Sequence, residues 1–397
     1  MMSAAKRHIG LFTYGLTTGG VSRRMATLAN ALADRGNQVD LLLACGDNAA
    51  GIEIHDQVRV IGFRSWRSFF SVKRLKRRQQ FAQALNPLAA HMREAGLDVL
   101  ISSGIHANIT ALRAREKAGA QVRQHMPLII TERAHTSTFI ANKPNAKVRE
   151  QFKADILRYY PLADAIVGVS EGVSADMVDM GLPVDLVQTL YNPVIGPETG
   201  ARAAEPVDHP WFQPGQPPVV LGVGRLTEQK DFPTLLRAFA RLIDAGRDLR
   251  LVILGSEKWS EDKDEILAVA ASLGIQDRFD LPGSVPNPFA YLAKSAFFAC
   301  SSKWEGLPAM LIEALAVGTP VVSTDCPSGP REILNDGELG HLVPVGDHEA
   351  LAAAMAETLD DPPKAERLIR STDRFTIKAS VESYLSLVDD LQAKAAA

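Results

Sequence analysis

The sequence predicts an α/β protein built from two doubly wound domains, and three observations carry that reading. Short apolar runs alternate with amphipathic segments along most of the 397 residues, the order that βαβ units and parallel sheets produce. A strand–loop–helix–strand unit near the N-terminus is echoed by a second one about half a chain later, a spacing far too long for a solenoid repeat. Between them lies the stretch 193–218, PVIGPETGARAAEPVDHPWFQPGQPP, whose prolines mark a linker or hinge. Length alone allows two or three domains at roughly 100–200 residues each.

The elements follow in order. His8–Thr13 is a short buried strand, and Gly19-Gly20 is a turn. Val21–Arg35 places Val21, Met25, Leu28, Ala29 and Leu32 near helical spacing, Gly36 stops it, and Val39–Ala44 is the next strand. In the second unit Pro218–Val223 is a strand, Gly224–Asp231 a polar loop, and Phe232–Ala245 a helix with Leu235, Leu236, Phe239 and Leu242 on one face. Gly246 ends that helix, and Leu249–Leu254 follows as a strand. Further on, Phe297–Cys300 reads as a strand and Leu307–Val317 as a helix. The last helix, roughly 374–393, carries Val381, Tyr384, Leu385, Leu387, Val388 and Leu391. The expected organisation is 1–200, 201–373, and a C-terminal helix, 374–397, whose docking surface the pattern leaves open, with return to the first domain as the expectation.

Composition narrows the classes. Apolar residues make up 46% and charged residues 22%, which excludes disordered, collagenous and disulfide-scaffold proteins. The net charge of −3 conceals an asymmetry. Residues 1–200 hold 24 Lys and Arg against 17 Asp and Glu, a balance of +7, and the remainder balances at −10. A basic half joined to an acidic half points to domains with different partners. Cys45, Cys300 and Cys326 are odd in number and far apart, which argues against disulfides and a cysteine zinc site and for a reduced, cytoplasmic setting. No signal peptide and no transmembrane run is expected, and peripheral attachment to a membrane stays open.

Three constellations bear chemistry. The turn Thr17-Thr18-Gly19-Gly20-Val21-Ser22-Arg23-Arg24 lets backbone N–H groups at a helix start approach an anion. A plain tight turn has the same composition, and neither GxGxxG nor a P-loop is present. The loop Gly222-Val223-Gly224-Arg225-Leu226-Thr227-Glu228-Gln229-Lys230-Asp231 delivers two cations to the carboxyl end of a strand, suited to a diphosphate or simply to solvent. Glu305 falls just before a helix, and Glu313 lies inside it among Leu311, Ile312, Leu315 and Val317. A carboxylate in those surroundings needs a partner, and sugar or ribose hydroxyls are natural donors to it.

At these residues the chain resembles the retaining GT-B glycosyltransferases of family 4, the glycosyl transferases group 1. The pieces are GGVSRR (19–24), GVGRLTEQKDF (222–232), LPGSV (281–285), EGLPAMLIE (305–313) and GTPVVSTDCPSGPREIL (318–334), with seven residues between Glu305 and Glu313. The resemblance implies two Rossmann-like domains facing across a cleft, with the donor in the second and the acceptor in the first. It implies that Arg225 and Lys230 bind the donor diphosphate and, with Glu305, carry catalysis. Glu313 would take the ribose hydroxyls, Glu305 the sugar hydroxyls, and the backbone of Gly306-Leu307-Pro308 would approach sugar or phosphate. Gly20 would flank the diphosphate, and Pro282-Gly283-Ser284-Val285 would face the base. It implies no cofactor and no metal, a UDP-hexose or UDP-N-acetylhexosamine donor, and same-face displacement with retention. The alternatives are a GDP-sugar mannosyltransferase of the same fold and a non-catalytic sugar-nucleotide or membrane-surface binding protein.

Two features concern the acceptor. Relatives carry a histidine at a strand end of the first domain. The matching position here is Arg133, with His135 two residues on and His106 as another candidate. Residues 57–93 contain nine Arg or Lys and no acid. Within that stretch Lys73, Arg74, Arg77 and Arg78 interleave with apolar side chains, as an amphipathic helix at an anionic surface would have them. An exposed helix with an apolar side in the core fits the same pattern, and no nucleic-acid motif accompanies the stripe. With the CPSGPREIL segment, the stripe is similar to bacterial enzymes that extend lipid-linked oligosaccharides. That likeness implies a polyprenyl-diphosphate saccharide acceptor at the inner face of a membrane.

Overall fold

A computed structural model describes residues 6–17, 19–45, 51–63, 77–255 and 260–396. Its first sheet has the strands β1 (His8–Thr13), β2 (Gln38–Leu43), β3 (Val58–Gly62), β4 (Val99–Ser103), β5 (Leu128–Glu132), β6 (Ala165–Gly168) and β7 (Val187–Thr189). Its second has β8 (Val219–Val223), β9 (Arg250–Leu254), β10 (Phe279–Gly283), β11 (Phe297–Cys300), β12 (Val321–Thr324) and β13 (His341–Val343). The spatial orders are β3-β2-β1-β4-β5-β6-β7 and β10-β9-β8-β11-β12-β13. All the pairings are parallel. Both are doubly wound sheets, with order reversing between β1 and β4 and between β8 and β11. Ligands of such sheets bind outside the carboxyl ends of the strands at that reversal.

The strands are apolar runs because helices cover both faces of each sheet. The helix Gly20–Asp34 buries Met25, Leu28, Ala29 and Leu32 against the first sheet, and Gly36, at φ 82°, lets the chain turn back into β2. The helix Phe232–Asp244 repeats this on the second sheet with Phe232, Leu235, Leu236, Phe239 and Leu242. Full burial of one such side chain is worth about 1.5–3 kcal/mol. Two boundaries differ from the periodicity. The helix expected from Leu307 begins at Ala309, because Pro308 stands extended at its cap. The last helix begins at Ile377, after a short 3-10 turn, Asp373–Phe375.

The chain divides into two compact units, Met1–Pro193 with Ile377–Ala397, and Val194–Thr376. The first thus ends before the expected boundary at 200. The proline-rich stretch read as a linker is largely folded into the second unit. Its helix Thr199–Ala204 packs on the helix Pro288–Lys294, with the Arg202 guanidinium 4.7 Å from the Phe289 ring centre. His209 packs edge-on against Trp211, Phe212 and Tyr291. Pro210 occupies the first turn of a 3-10 helix, where no backbone N–H is needed, so proline here marks helix starts rather than slack chain. The helix Ile377–Ala396 returns to the first unit and places Val381, Tyr384, Leu387, Val388 and Leu391 in the same core as Met25 and Leu28. Among the described residues no helix is long and apolar enough to cross a membrane.

Candidate functional site

In the second unit the motif residues gather at the carboxyl ends of β8 and β11, the point where the strand order reverses. The loop after β8 is shaped by close approaches. A Cβ on Gly224 would come within 2.9–3.0 Å of Lys230 Cε, Cδ and Cγ, so only glycine lets the lysine stem lie across the strand end. A Cβ on Gly255 would meet the Gly224 carbonyl oxygen at 2.1 Å. Asp231 closes the loop in the left-handed region, φ 45°, and its carboxylate accepts from Thr234 Oγ1 at 2.8 Å. Arg225 Nη2 donates to Gln229 Oε1 at 3.0 Å.

Lys230 and Glu305 are bonded to each other. Lys230 Nζ donates to Glu305 Oε1 at 2.5 Å, and Ser302 Oγ donates to the same oxygen at 2.7 Å. Gln229 Nε2 donates to the Trp304 carbonyl at 2.8 Å and tilts toward Glu305 Oε2 at 3.5 Å. Glu305 is 7% exposed. Burial disfavours the Lys230 charge, but the Glu305 carboxylate outweighs it and holds the lysine pKa above its ordinary value. Cys326 lies in the same surroundings. Burial first, then Cys300 and Glu305, push its thiol pKa up, so it stays protonated and neutral.

The CPSGP segment after β12 braces this turn. Glu305 N donates to the Pro327 carbonyl at 3.3 Å, and Ser328 Oγ donates to the Glu305 carbonyl at 2.9 Å. Gly329 sits at φ 95°, and a Cβ there would stand 2.4 Å from Pro308 Cδ. Gly306 and Leu307 are thereby held between two loops. Glu313 is 7% exposed, one helical segment on. Gly283, at φ 90°, accepts from Gly255 N at 3.0 Å, which ties the end of β10 to the loop after β9 and sets Ser284 and Val285 at the same edge of the sheet.

In the first unit the turn after β1 is held by Ser22, whose Oγ donates to the Gly15 carbonyl at 2.8 Å and accepts from Thr17 N at 3.0 Å. Gly19 has φ −75°, and a Cβ on Gly20 would meet nothing within 4 Å. Neither internal packing nor backbone geometry demands glycine at 20. The three strand-end candidates part company. Arg133 Nε donates to Ser103 Oγ at 2.5 Å, and its Nη1 donates to Asn192 Oδ1. His135 is tied into its own turn, with Nδ1 3.0 Å from Thr138 Oγ1 and 3.4 Å from Asp176 Oδ1. The His106 ring lies 5.8 Å from Phe81 and 5.2 Å from Phe152. Of the basic stripe, Lys73 and Arg74 lie outside the described residues, Arg77 opens the helix Arg77–Glu94, and Arg78 is exposed on it.

Several groups in these clusters escaped the motif reading. Gln229, Ser302 and Ser328 stand inside the motifs, yet as uncharged residues they carried no signal. Glu132 ends β5 inside the protein, where Tyr160 OH and Asn108 Nδ2, the latter at 2.8 Å, both donate to its Oε1. Burial raises its pKa to about 7 against those bonds. Its signal was a charged residue closing an apolar run. Chemically, the second unit offers a forked cation at Arg225, a point cation at Lys230 and a carboxylate at Glu305, joined by hydrogen bonds at a strand-end edge. That set can hold a group with both phosphate and hydroxyls.

The family model described as glycosyl transferases group 1 matches residues 207–375, and the model for glycosyltransferase family 4 matches residues 18–195. A relative from Campylobacter jejuni is 31% identical over 387 residues, covering 95% of this chain and 99% of its own. It is named N-acetylgalactosamine-N,N'-diacetylbacillosaminyl-diphospho-undecaprenol 4-alpha-N-acetylgalactosaminyltransferase. Among solved structures, sucrose-phosphate synthase from Thermosynechococcus elongatus superposes with a TM-score of 0.79 at 19% identity, covering 98% of this chain and all of its own. Anabaena HepE, solved with UDP and glucose, superposes at 0.73 with 16% identity, covering 97% of this chain and all of its own.

Proposed function

Because this chain belongs to the glycosyltransferases of group 1 and family 4 and has the GT-B fold of two Rossmann-like domains, we propose that it moves a sugar from a UDP-sugar to a lipid-linked saccharide with retention at the anomeric carbon. The observation that carries the donor half is the Arg225–Gln229–Lys230–Glu305 assembly at the ends of β8 and β11. UDP is favoured because HepE, of the same fold, was solved with UDP and glucose. A UDP-hexose or UDP-N-acetylhexosamine fits that reading. The acceptor half draws on the Campylobacter relative, named for a diphospho-undecaprenol saccharide, and on the basic stripe. The setting is the synthesis of cell-surface polysaccharide or glycan at the cytoplasmic face of a membrane.

In this reading the acceptor hydroxyl oxygen bonds to the anomeric carbon as that carbon's bond to the donor phosphate oxygen breaks. Negative charge then grows on the departing nucleoside diphosphate. Arg225 and Lys230, held in advance by Gln229 and Glu305, stabilise that charge without reorganising. The departing phosphate oxygen takes the acceptor's proton on the same face, so the configuration is kept and no protein nucleophile forms a bond. Glu305, already anchored by Lys230 and Ser302, presents its second oxygen to donor sugar hydroxyls, and Glu313 takes the ribose; in the first unit the open turn at Gly20 approaches a phosphate-bearing substrate. No step requires a metal.

Calorimetric titration with UDP, GDP and ADP tests the donor; tighter binding of GDP than UDP would overturn it. Transfer is expected to persist in excess EDTA. NMR of the glycoside product is expected to show the donor's own anomeric configuration. Vesicle sedimentation tests the stripe: binding to anionic vesicles should weaken with salt and fall further when Arg74, Arg77 and Arg78 become Glu.

A further inference from the structure

A second cationic cluster lies wholly in the first unit, at the carboxyl side of its sheet. Arg133 follows β5 directly and is bonded to Ser103, the last residue of β4. Its Nη1 donates to Asn192 Oδ1, and its Nη2 lies 3.2 Å from Met25 Sδ. Arg24, in the second turn of the helix after β1, donates from Nη1 to the carbonyl of Pro193 at 3.1 Å. Two guanidinium groups are thus anchored on consecutive residues. They lie close enough that Arg24, after burial, works to lower the pKa of Arg133.

For Arg133 the hydrogen bonds offer no compensating charge. Each partner of Arg133 is neutral, and among the described residues no carboxylate forms an ion pair with it. The neighbouring acid, Glu132, faces the other way along the alternating strand, toward Asn108 and Tyr160, and burial keeps it largely protonated up to about pH 7. The Tyr384 hydroxyl on the helix Ile377–Ala396, in a residue 1% exposed, has no hydrogen-bond partner, and Arg133 is the charge that acts on it. A buried hydroxyl without an acceptor, and a buried cation whose hydrogen-bond partners are all uncharged, can be served by one anion.

We propose that Arg24, Arg133 and Tyr384 form a subsite for a phosphate or diphosphate group. Planar forks suit the paired oxygens of that anion, and a phenol adds a neutral donor. The proposal rests on the glycosyltransferase reading only for where the anion comes from, the acceptor's diphosphate or the nucleotide's.

The test is titration with inorganic pyrophosphate and, separately, with UDP. In a Lys230→Ala protein the donor loop is disabled, and pyrophosphate binding is expected to survive. Arg133→Gln in that background should weaken it about tenfold or more, and Arg24→Gln should weaken it as well. Tyr384→Phe removes an unsatisfied buried hydroxyl, so a purely structural role would leave affinity untouched and raise the melting temperature. The subsite instead requires a loss of affinity of about threefold or more. Pyrophosphate that still binds under saturating UDP identifies an acceptor group as the occupant. Competition by UDP, with UDP itself weakened by Arg133→Gln, identifies the nucleotide. If Arg24→Gln and Arg133→Gln, each folded by calorimetry, change neither titration, the subsite does not exist. Failure of wild-type protein to bind UDP would instead refute the donor reading and leave the pyrophosphate result standing on its own.

Discussion

Lys230 and Glu305 share one buried contact, so neither can be removed alone without leaving the other's charge uncompensated. Lys230→Ala is expected to lower stability by about 3 kcal/mol, in the range for breaking a buried pair. Adding Glu305→Gln should recover much of that loss and none of the transfer. Calorimetric melting and a turnover assay on the two variants check both halves, and equal stabilities would refute the coupling. Glu132 gives a pH signature of its own. Its carboxyl holds a proton to about pH 7 in the folded chain, against an ordinary value of 4.5. Between those limits the folded state binds the extra proton, so its contribution to stability is complete below 4.5 and falls as pH rises to 7. The loss is about 1.4 kcal/mol per pH unit. Tyr160, Asn108, Arg133 and Asp176 are the groups acting on it. Glu132→Gln should match wild type at pH 4.5 and exceed it by about 3 kcal/mol at pH 8. At this scale the residue types were legible in the sequence, since Lys230 and Glu305 both stand in strand-end loops. Their 2.5 Å contact was not, because 75 positions separate them and only the adjacency of β8 and β11 joins them.

Among elements, the two glycine-bearing turns make opposite demands. Gly329 combines φ 95° with a Cβ position 2.4 Å from Pro308, so Gly329→Ala must displace the loop that carries Glu305. We expect a loss of about 2–3 kcal/mol together with impaired transfer. Gly20→Ala adds a methyl that meets nothing, at the start of a helix. It should leave stability equal or raised by up to about 1 kcal/mol, while weakening binding of the phosphate-bearing substrate that the turn is proposed to approach. Melting temperature and KM measured together separate the two; unimpaired KM in Gly20→Ala would refute the close approach. The strands His8–Thr13 and Phe297–Cys300 were readable to the residue, because each is an apolar run cut off by polar or small residues. The start at Ala309 was not, since Leu307 fits the apolar face and only the backbone at Pro308 excludes it. The bracing of Glu305 by Ser328 was invisible because it joins the ends of two strands that the sequence cannot order.

For the molecule as a whole, the C-terminal helix is part of the first core rather than an appendage. Truncation after Thr376 removes Val381, Tyr384, Leu387, Val388 and Leu391 from the face they share with Met25 and Leu28. The first unit should then melt well below its intact value or aggregate, while the second keeps a UDP-dependent transition. Scanning calorimetry with and without UDP reads both, and an unchanged first transition would refute the packing role. The bipartite plan was legible from the repeated strand–loop–helix unit. The fate of the proline-rich stretch was not, because Pro210 in a helical turn and proline in slack chain look alike in one dimension.

The second unit is one uninterrupted segment, Val194–Thr376, and its two ends touch: Val194 N and Ile195 N donate to the Phe375 carbonyl at 3.0 and 3.1 Å, and Ile195 pairs with Thr376. In chain order it is therefore an insertion between the two segments of the first unit. Such a segment can be lifted out and replaced by its counterpart from a relative with no new chain terminus and no rerouted backbone. A chimera made at those two junctions should inherit the nucleotide preference of the incoming segment and keep the acceptor preference of the host.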